Sequence, residues 1–228
     1  ALGGDLYKLG WTNEGATFTS FSSYGVEDED KGQFFIYDLK TNKKTSTHQS
    51  LKGLIDTLNA GNLTKDVFAD TVDMENFINY SAVSYILGNP DDLRNNYNNC
   101  YIYFRADNGK MMIIPYDMDR VFGINTWNPY GDSMTTDSPF AAQNVNGEQR
   151  SPLFKTTLCQ RGLFFFFFIA AAKRIADCEM LTDTAFEARF IVAKALYTGY
   201  ETPSKTYHNA SDHAFAFDLS ATCPPNGN

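Results

Sequence analysis

Histidine and cysteine are scarce in this chain, with three His and four Cys in 228 residues. Cys100, Cys159, Cys178 and Cys223 form no C-x-x-C pair, and His48, His208 and His213 form no H-E-x-x-H. A zinc site is therefore not expected. The cysteine spacing leaves free thiols and one or two disulfides equally open. Positive charge is also short: 19 Lys and Arg stand against 27 Asp and Glu, for a net charge of −8. A nucleic-acid or anionic-membrane partner would need a basic face, so neither is expected. Long apolar runs are missing too. The longest, 163–172, is half of the roughly 20 residues that a membrane span needs. No signal peptide opens the chain at Ala1, and an upstream region is expected to precede it.

Several catalytic words are absent as well. There is no G-x-S-x-G elbow, no G-x-x-x-x-G-K-[ST] phosphate loop and no twelve-residue EF-hand spacing. Neither H-R-D nor D-F-G occurs.

What the chain has is apolar mass and short-range acids. Hydrophobic residues make up 43%, with 13 Tyr and 19 Phe, enough for a sizeable aromatic core. Five consecutive phenylalanines, 164–168, have no amphipathic face to explain them. Residues 1–45 are rich in Gly, Thr and Ser, and Gln33 to Leu39 reads as a strand. Leu51, Leu54, Ile55 and Leu58 fall at helical spacing, and Gly61 follows as a stop. A longer helix is expected from Asp73 to Leu87, with Asp73 as its cap and Gly88 in the left-handed position after its last turn. Strands are expected over Cys100 to Arg105 and Lys110 to Ile114, joined through Asn108-Gly109, a hairpin-turn signal. A long loop over 123–152 and helices over 162–178, 183–198 and 204–217 complete the reading, with Pro203 at a first helical position. Of the sequons at Asn62, Asn79 and Asn209, Asn79 reads as mid-helix and is expected to stay unmodified. The fold class is α+β. Residues 1–48 read as a partial strand region and 49–228 as a helical lobe with the site, one domain overall.

Two acidic clusters flank the hairpin. Asp91 and Asp92 precede its first strand, and Asp117 and Asp119 follow its second. The open ends of a hairpin lie together, with adjacent strands about 4.8 Å apart. The clusters therefore converge, and a divalent cation relieves the repulsion among bare carboxylates. Mg²⁺ prefers one or two carboxylates plus phosphates and waters. A kinase places an Asp and an Asn before such a hairpin and a metal-binding Asp after it. The order here is the same: Asp91, Asn99, hairpin, Asp117. Asp and Asn are also common turn formers, and a lone Asp-Asn loop would be read that way. A glycosidase would use two carboxylates but does not explain the adjacent asparagines.

The run Asn89-Pro90-Asp91, Asn98-Asn99-Cys100-Tyr101-Ile102-Tyr103-Phe104, Gly109-Lys110, Ile114-Pro115-Tyr116-Asp117-Met118-Asp119 and Phe122-Gly123 resembles the core signature of the CotH (spore-coat protein H) kinase family. Gly4 to Lys8, Tyr37 to Asn42 and Ser151 to Phe154 are similar to further family segments. The resemblance spans about residues 4–200. It implies an atypical protein-kinase-like fold with a mostly helical C-terminal lobe and a catalytic hairpin. It also implies transfer of the ATP γ-phosphate to protein Ser or Thr hydroxyls with Mg²⁺ or Mn²⁺. By the same resemblance Asp91 is the catalytic aspartate. Asn99, Asp117 and Asp119 hold metal, and Asn99 and Asp117 also bind the nucleotide cofactor. Asn95 and Asn96 stand as alternatives to Asn99. Tyr116 replaces a common Trp, and the family's phosphate-binding Lys is expected upstream of Ala1. The partner implied is a protein substrate or a coat or surface protein, and the location is extracellular, cell-surface or spore-coat. The alternative is a non-catalytic pseudokinase, a surface or coat binding protein with a Ca²⁺ or Mg²⁺ site.

Overall fold

The computed structural model describes residues 3–11, 15–21, 24–26, 35–118, 120–121, 139–140, 143–144, 147–148, 150–160, 164–179, 182–196, 207–208 and 214–215. The chain forms two compact units, Ala1–Lys173 and Arg174–Asn228.

The first unit is built on a five-stranded sheet. Its strands are β1 (Asp5–Leu9), β2 (Tyr24–Gly25), β3 (Tyr37–Leu39), β4 (Cys100–Phe104) and β5 (Met111–Pro115), in the order β2-β3-β1-β4-β5. β1 runs antiparallel to both β3 and β4, and Lys8 stands opposite Tyr101. The strands of residues 1–48 thus share one sheet with the hairpin. Period-two alternation buries Cys100, Ile102 and Phe104 on one face of β4, with Met111 and Ile113 beside them on β5. The turn is the four residues expected, 106–109: Arg105 N–H donates to Lys110 O and Gly109 N–H to Arg105 O, and Gly109 takes φ +73°. Of the expected 33–39 strand, 37–39 form β3, 35–36 are not strand, and 33–34 lie outside the described residues.

Helices α1 (Gln49–Asn59), α2 (Lys65–Thr71) and α3 (Met74–Ile86) follow β3. α1 buries the four residues named from its periodicity. α2 was not expected from the sequence; Thr64 caps it by accepting from the Val67 N–H. Asp73 caps α3, its carboxylate accepting from Asn76 N–H at 3.1 Å, and Gly88 takes φ +63° after the last turn. Both features are as expected from the sequence. Asn79 lies within α3. Asn76 joins α3 to the edge strand: its Nδ2 donates to Ile113 O at 3.0 Å, and its Oδ1 accepts from Ile113 N–H at 2.7 Å. Replacing Asn76 with Ala orphans both backbone groups. We expect a loss of about 2–3 kcal/mol in urea denaturation, one to one and a half per group; a loss under about 0.5 kcal/mol would mean water replaces both bonds.

Helix α4 (Pro152–Phe154) runs into a π-helical turn, Lys155–Gln160, and α5 covers Phe165–Ala176. The phenylalanine run divides by helical geometry. Phe164 and Phe168 are buried against Phe68, Phe77 and Tyr85, whereas Phe166 is 83% exposed. Cys100 is a free, buried thiol, and Cys178 is free as well.

The second unit contains α6 (Asp183–Leu196) and the antiparallel pair β8 (Tyr207–His208) and β9 (Ala214–Phe215). The expected helix over 204–217 is thereby corrected. Tyr207 pairs with Phe215, and aromatic residues favour strands. Asn209, Ser211 and Asp212 between them are turn formers. Among the described residues no helix is long and apolar enough to cross a membrane. A further pair, β6 (Gln143–Asn144) and β7 (Gly147–Glu148), lies in the first unit, inside the expected 123–152 loop. Most of that loop lies outside the described residues.

Candidate active site

The segment between α3 and β4 is organised by Asp92. Its carboxylate is buried and accepts from the Ser84 hydroxyl, from Asn95 N–H at 2.8 Å and from Asn95 Nδ2 at 2.9 Å. Its backbone carbonyl accepts from Asn96 and Tyr97 N–H. Tyr80 Oη accepts from Leu93 N–H at 3.1 Å, fastening the same loop to α3. Asn89 starts the loop as an Asx turn, its Oδ1 accepting from Asp91 N–H at 3.0 Å.

With Asp92 turned inward, Asp91 is turned toward the hairpin. Asn96 Nδ2 donates to Asp91 Oδ1 at 2.6 Å, and Asn99 Nδ2 donates to Asp91 Oδ2 at 2.9 Å and to the Asp91 carbonyl at 3.0 Å. Arg120 Nε stands 3.7 Å from the same Oδ2. The carboxylate is thus fixed in position, yet each oxygen keeps lone-pair capacity, since a carboxylate has about four acceptor sites.

Asn99 takes φ 54° and Asp117 φ 56°. Both are left-handed positions that Asn and Asp tolerate better than other side chains. Tyr116 N–H donates to Asn99 O at 3.1 Å, closing the open end of the hairpin and setting Asn99 beside the exit toward Asp117. Asp117 is exposed. The negative charges of Asp91 and Asp117 both reach the Tyr116 phenol, which is pushed up to about 12, chiefly by burial. Lys8 Nζ lies 5.3 Å from the Tyr116 ring centre.

The expected residues therefore separate. Asp91, Asn96 and Asn99 form one hydrogen-bonded group, and Asp117 follows the adjacent hairpin exit. Asn95 belongs to the buried Asp92 group instead, with Nδ2 also on Asn89 O. Asp119 lies outside the described residues. Sequence reasoning missed Arg120, and it did not foresee that Lys8 stands at this end of the sheet. Its signal was the Tyr7-Lys8 pair in a strand, legible only once β1 was known to pair with β4.

A model of the family described as CotH kinase protein matches residues 2–171. The chain belongs to the CotH kinase family. The matched span contains the whole sheet, the Asp91 loop and the hairpin, so the CotH signature and the hydrogen-bonded group fall on the same residues. Among curated proteins, none matches this chain.

Whether the CotH site can accept a divalent cation is decided by its unspent oxygens. Both bonds made by the Asn99 side chain come from Nδ2, which turns Oδ1 away from Asp91. No described residue donates to the Asp117 carboxylate. These are hard oxygen donors suited to Mg²⁺ or Mn²⁺. Among the described residues no three acidic, His or Cys side chains gather as a metal cluster. One or two carboxylates plus substrate phosphates is the Mg²⁺ pattern, whereas Ca²⁺ takes six to eight oxygens.

Asp92 makes a pH prediction. Burial lifts its carboxyl above the ordinary 3.8, while bonds from Ser84 and Asn95 and the charge of Arg94 pull the other way. The folded chain then holds this proton more tightly than the unfolded chain. The Asp92 contribution to stability is full below the unfolded value and is lost as pH rises through the folded one. Asp92→Asn cannot titrate. Urea denaturation from about pH 3.5 to 7 should show the wild type losing stability relative to the variant as pH rises above about 4. A pH-independent difference would reject the raised carboxyl.

Proposed function

We propose that this chain carries the phosphotransfer site of an ATP-dependent protein kinase acting on Ser or Thr hydroxyls. The observation that supports it is the Asp91 carboxylate, held by Asn96 and Asn99 at the open end of a hairpin whose other exit bears Asp117. Asp91 orients the acceptor hydroxyl and takes its proton. The hydroxyl oxygen forms a bond to the γ-phosphorus, the bond to the β-bridging oxygen breaks, and ADP leaves with that electron pair. Asn99 Oδ1 and Asp117 would hold Mg²⁺ or Mn²⁺, with Asp119 beside them; the metal supplies positive charge against the phosphates. Lys8 brings a further positive charge to this end of the sheet. Catalysis on this reading is positioning and charge neutralisation. The proposed setting is extracellular or on a spore or cell surface, as the family's spore-coat name suggests.

The test is calorimetric titration of ATP with Mg²⁺ and in EDTA, run beside autophosphorylation and transfer to a protein substrate. Mg²⁺-dependent nucleotide binding with transfer is the expected result. Nucleotide binding indifferent to Mg²⁺, or none, would leave the chain as a non-catalytic member that uses the same site for Ca²⁺ or for a coat or surface partner.

A further inference from the structure

A polar cavity that does not include Asp91 opens elsewhere in the first unit. It measures about 270 Å³ and is lined by Gly15, Thr17, Thr19, Ser20, Ile36, Tyr37 and Arg150. The walls come from the segment after β1, from the entrance to β3 and from the residue just ahead of α4. The first and the last of these are fixed to the loop that carries Asp91. Ala16 N–H donates to Tyr97 O at 3.1 Å, and Arg150 N–H donates to Tyr97 Oη at 3.1 Å. The Arg150 guanidinium lies 4.8 Å from the Tyr97 ring centre. A Cβ on Gly15 would stand 2.8 Å from Tyr97 Cβ, so this wall tolerates only glycine. Tyr97 itself takes φ 60°, a costly conformation for a bulky residue, and one that persists only where its surroundings hold it.

The lining is rich in donors. Tyr37 is 2% exposed, and its hydroxyl accepts from Phe18 N–H at 2.9 Å. Its own proton has no acceptor among the described residues. Burial also pushes this phenol well above its ordinary value, so it stays a donor. Thr17 and Thr19 share one hydrogen bond at 2.8 Å between their hydroxyls, which leaves one of the two protons unspent. Arg150 adds a permanent cation with a planar fork of N–H groups. Among the described residues no carboxylate lines the cavity, although the chain as a whole carries a charge of −8. Donors, a guanidinium and no acid select an oxyanion over a cation or a sugar, and Arg suits phosphate geometry. The volume falls just under the roughly 300–1,000 Å³ of drug-sized pockets. It therefore suits a phosphoryl group with a small substituent.

We propose that this cavity is a binding site for a phosphate monoester dianion, seated on Arg150 and on the hydroxyls of Tyr37 and the Thr17–Thr19 pair. The site stands on its own, whether or not Asp91 transfers phosphate. Its attachment to Tyr97 means that a bound anion would stiffen the loop that presents Asp91 and Asn99.

Calorimetry with inorganic phosphate, on the full chain in EDTA, tests it, because phosphate held through a metal is lost under that condition. We expect saturable one-to-one binding in the millimolar range or tighter. Arg150→Met should weaken it at least about tenfold, the loss of a charge-assisted bond. Thr17→Val, which keeps the side-chain shape, should weaken it by about threefold or more. Arg150→Lys should fall between wild type and Arg150→Met, because it keeps charge and loses the fork; it decides the matter if Arg150→Met fails to fold. Phosphoserine and AMP then separate the sources. Tighter binding of phosphoserine points to a phosphorylated side chain, tighter binding of AMP to a nucleotide, and either supports the site. No saturable binding, or an affinity unmoved in both Arg150→Lys and Thr17→Val, overturns it. Because EDTA removes the metal, failure of the phosphotransfer reading leaves this result untouched, and the converse holds.

Discussion

Asp91→Asn should lower phosphate transfer at least about 100-fold, a common contribution of a positioned base, while leaving ATP affinity within a few-fold of wild type. Asp91 accepts from Asn96 on one oxygen and from Asn99 on the other. An amide at position 91 can face only one of these donors with its oxygen; its NH₂ then meets the other. With its oxygen toward Asn99 the variant keeps that bond, as well as the bond from Asn99 to the carbonyl of residue 91, and lacks the group that takes the hydroxyl proton. Transfer of radiolabelled phosphate to a protein substrate, measured beside ATP calorimetry, reads both effects. Transfer retained within about threefold would remove Asp91 from its assigned role.

Asp117→Asn should give the complementary pattern. Here Mg²⁺-supported ATP affinity is expected to fall by at least about tenfold, or about 1.4 kcal/mol, with transfer falling alongside it. The fold has little reason to change: the side chain is exposed, no described residue donates to it, and its φ of 56° is one that Asn accepts. What is lost is one negative charge from the metal position. In EDTA the wild type and Asp117→Asn should bind ATP alike. A variant with full Mg²⁺-supported affinity would exclude Asp117 as a metal ligand. The two substitutions differ in which measurement moves first, and this keeps a base apart from a ligand.

The parts of the fold that were legible in the sequence are those governed by local rules. Asp73 and Gly88 bracket α3 because capping and left-handed geometry are properties of single residues. The β4–β5 hairpin was legible because two apolar runs face each other across Asn108-Gly109. α2 was not, because only Phe68 is buried in its seven residues and no stripe forms. The place of β1 beside β4 was not legible either, since pairing between residues 5–8 and 101–104 is non-local. That gap hid Lys8. The asparagine run shows the limit within the site. Asn95 and Asn96 are neighbours with the same side chain, yet one is bonded to Asp92 and the other to Asp91. Only the turn that Asp92 organises decides which faces the hairpin. The helix read over 204–217 failed because Pro203, a good first helical residue, speaks only for a start, while turn formers stand between the two aromatic residues that pair.

The bonding of Asn76 also bears on how this protein behaves at high concentration. β5 is the outer strand of its sheet, and an outer strand offers unpaired main-chain groups as a template for another chain. Here Ile113 gives both groups to Asn76, Met111 O accepts from Asp73 N–H at 2.9 Å, and Val72 bridges to Met111. The start of α3 thus covers that border with polar atoms. An incoming strand would have to displace Asn76 before it could pair with Ile113. Position 76 thus guards this border, and its loss would open β5 to strand addition.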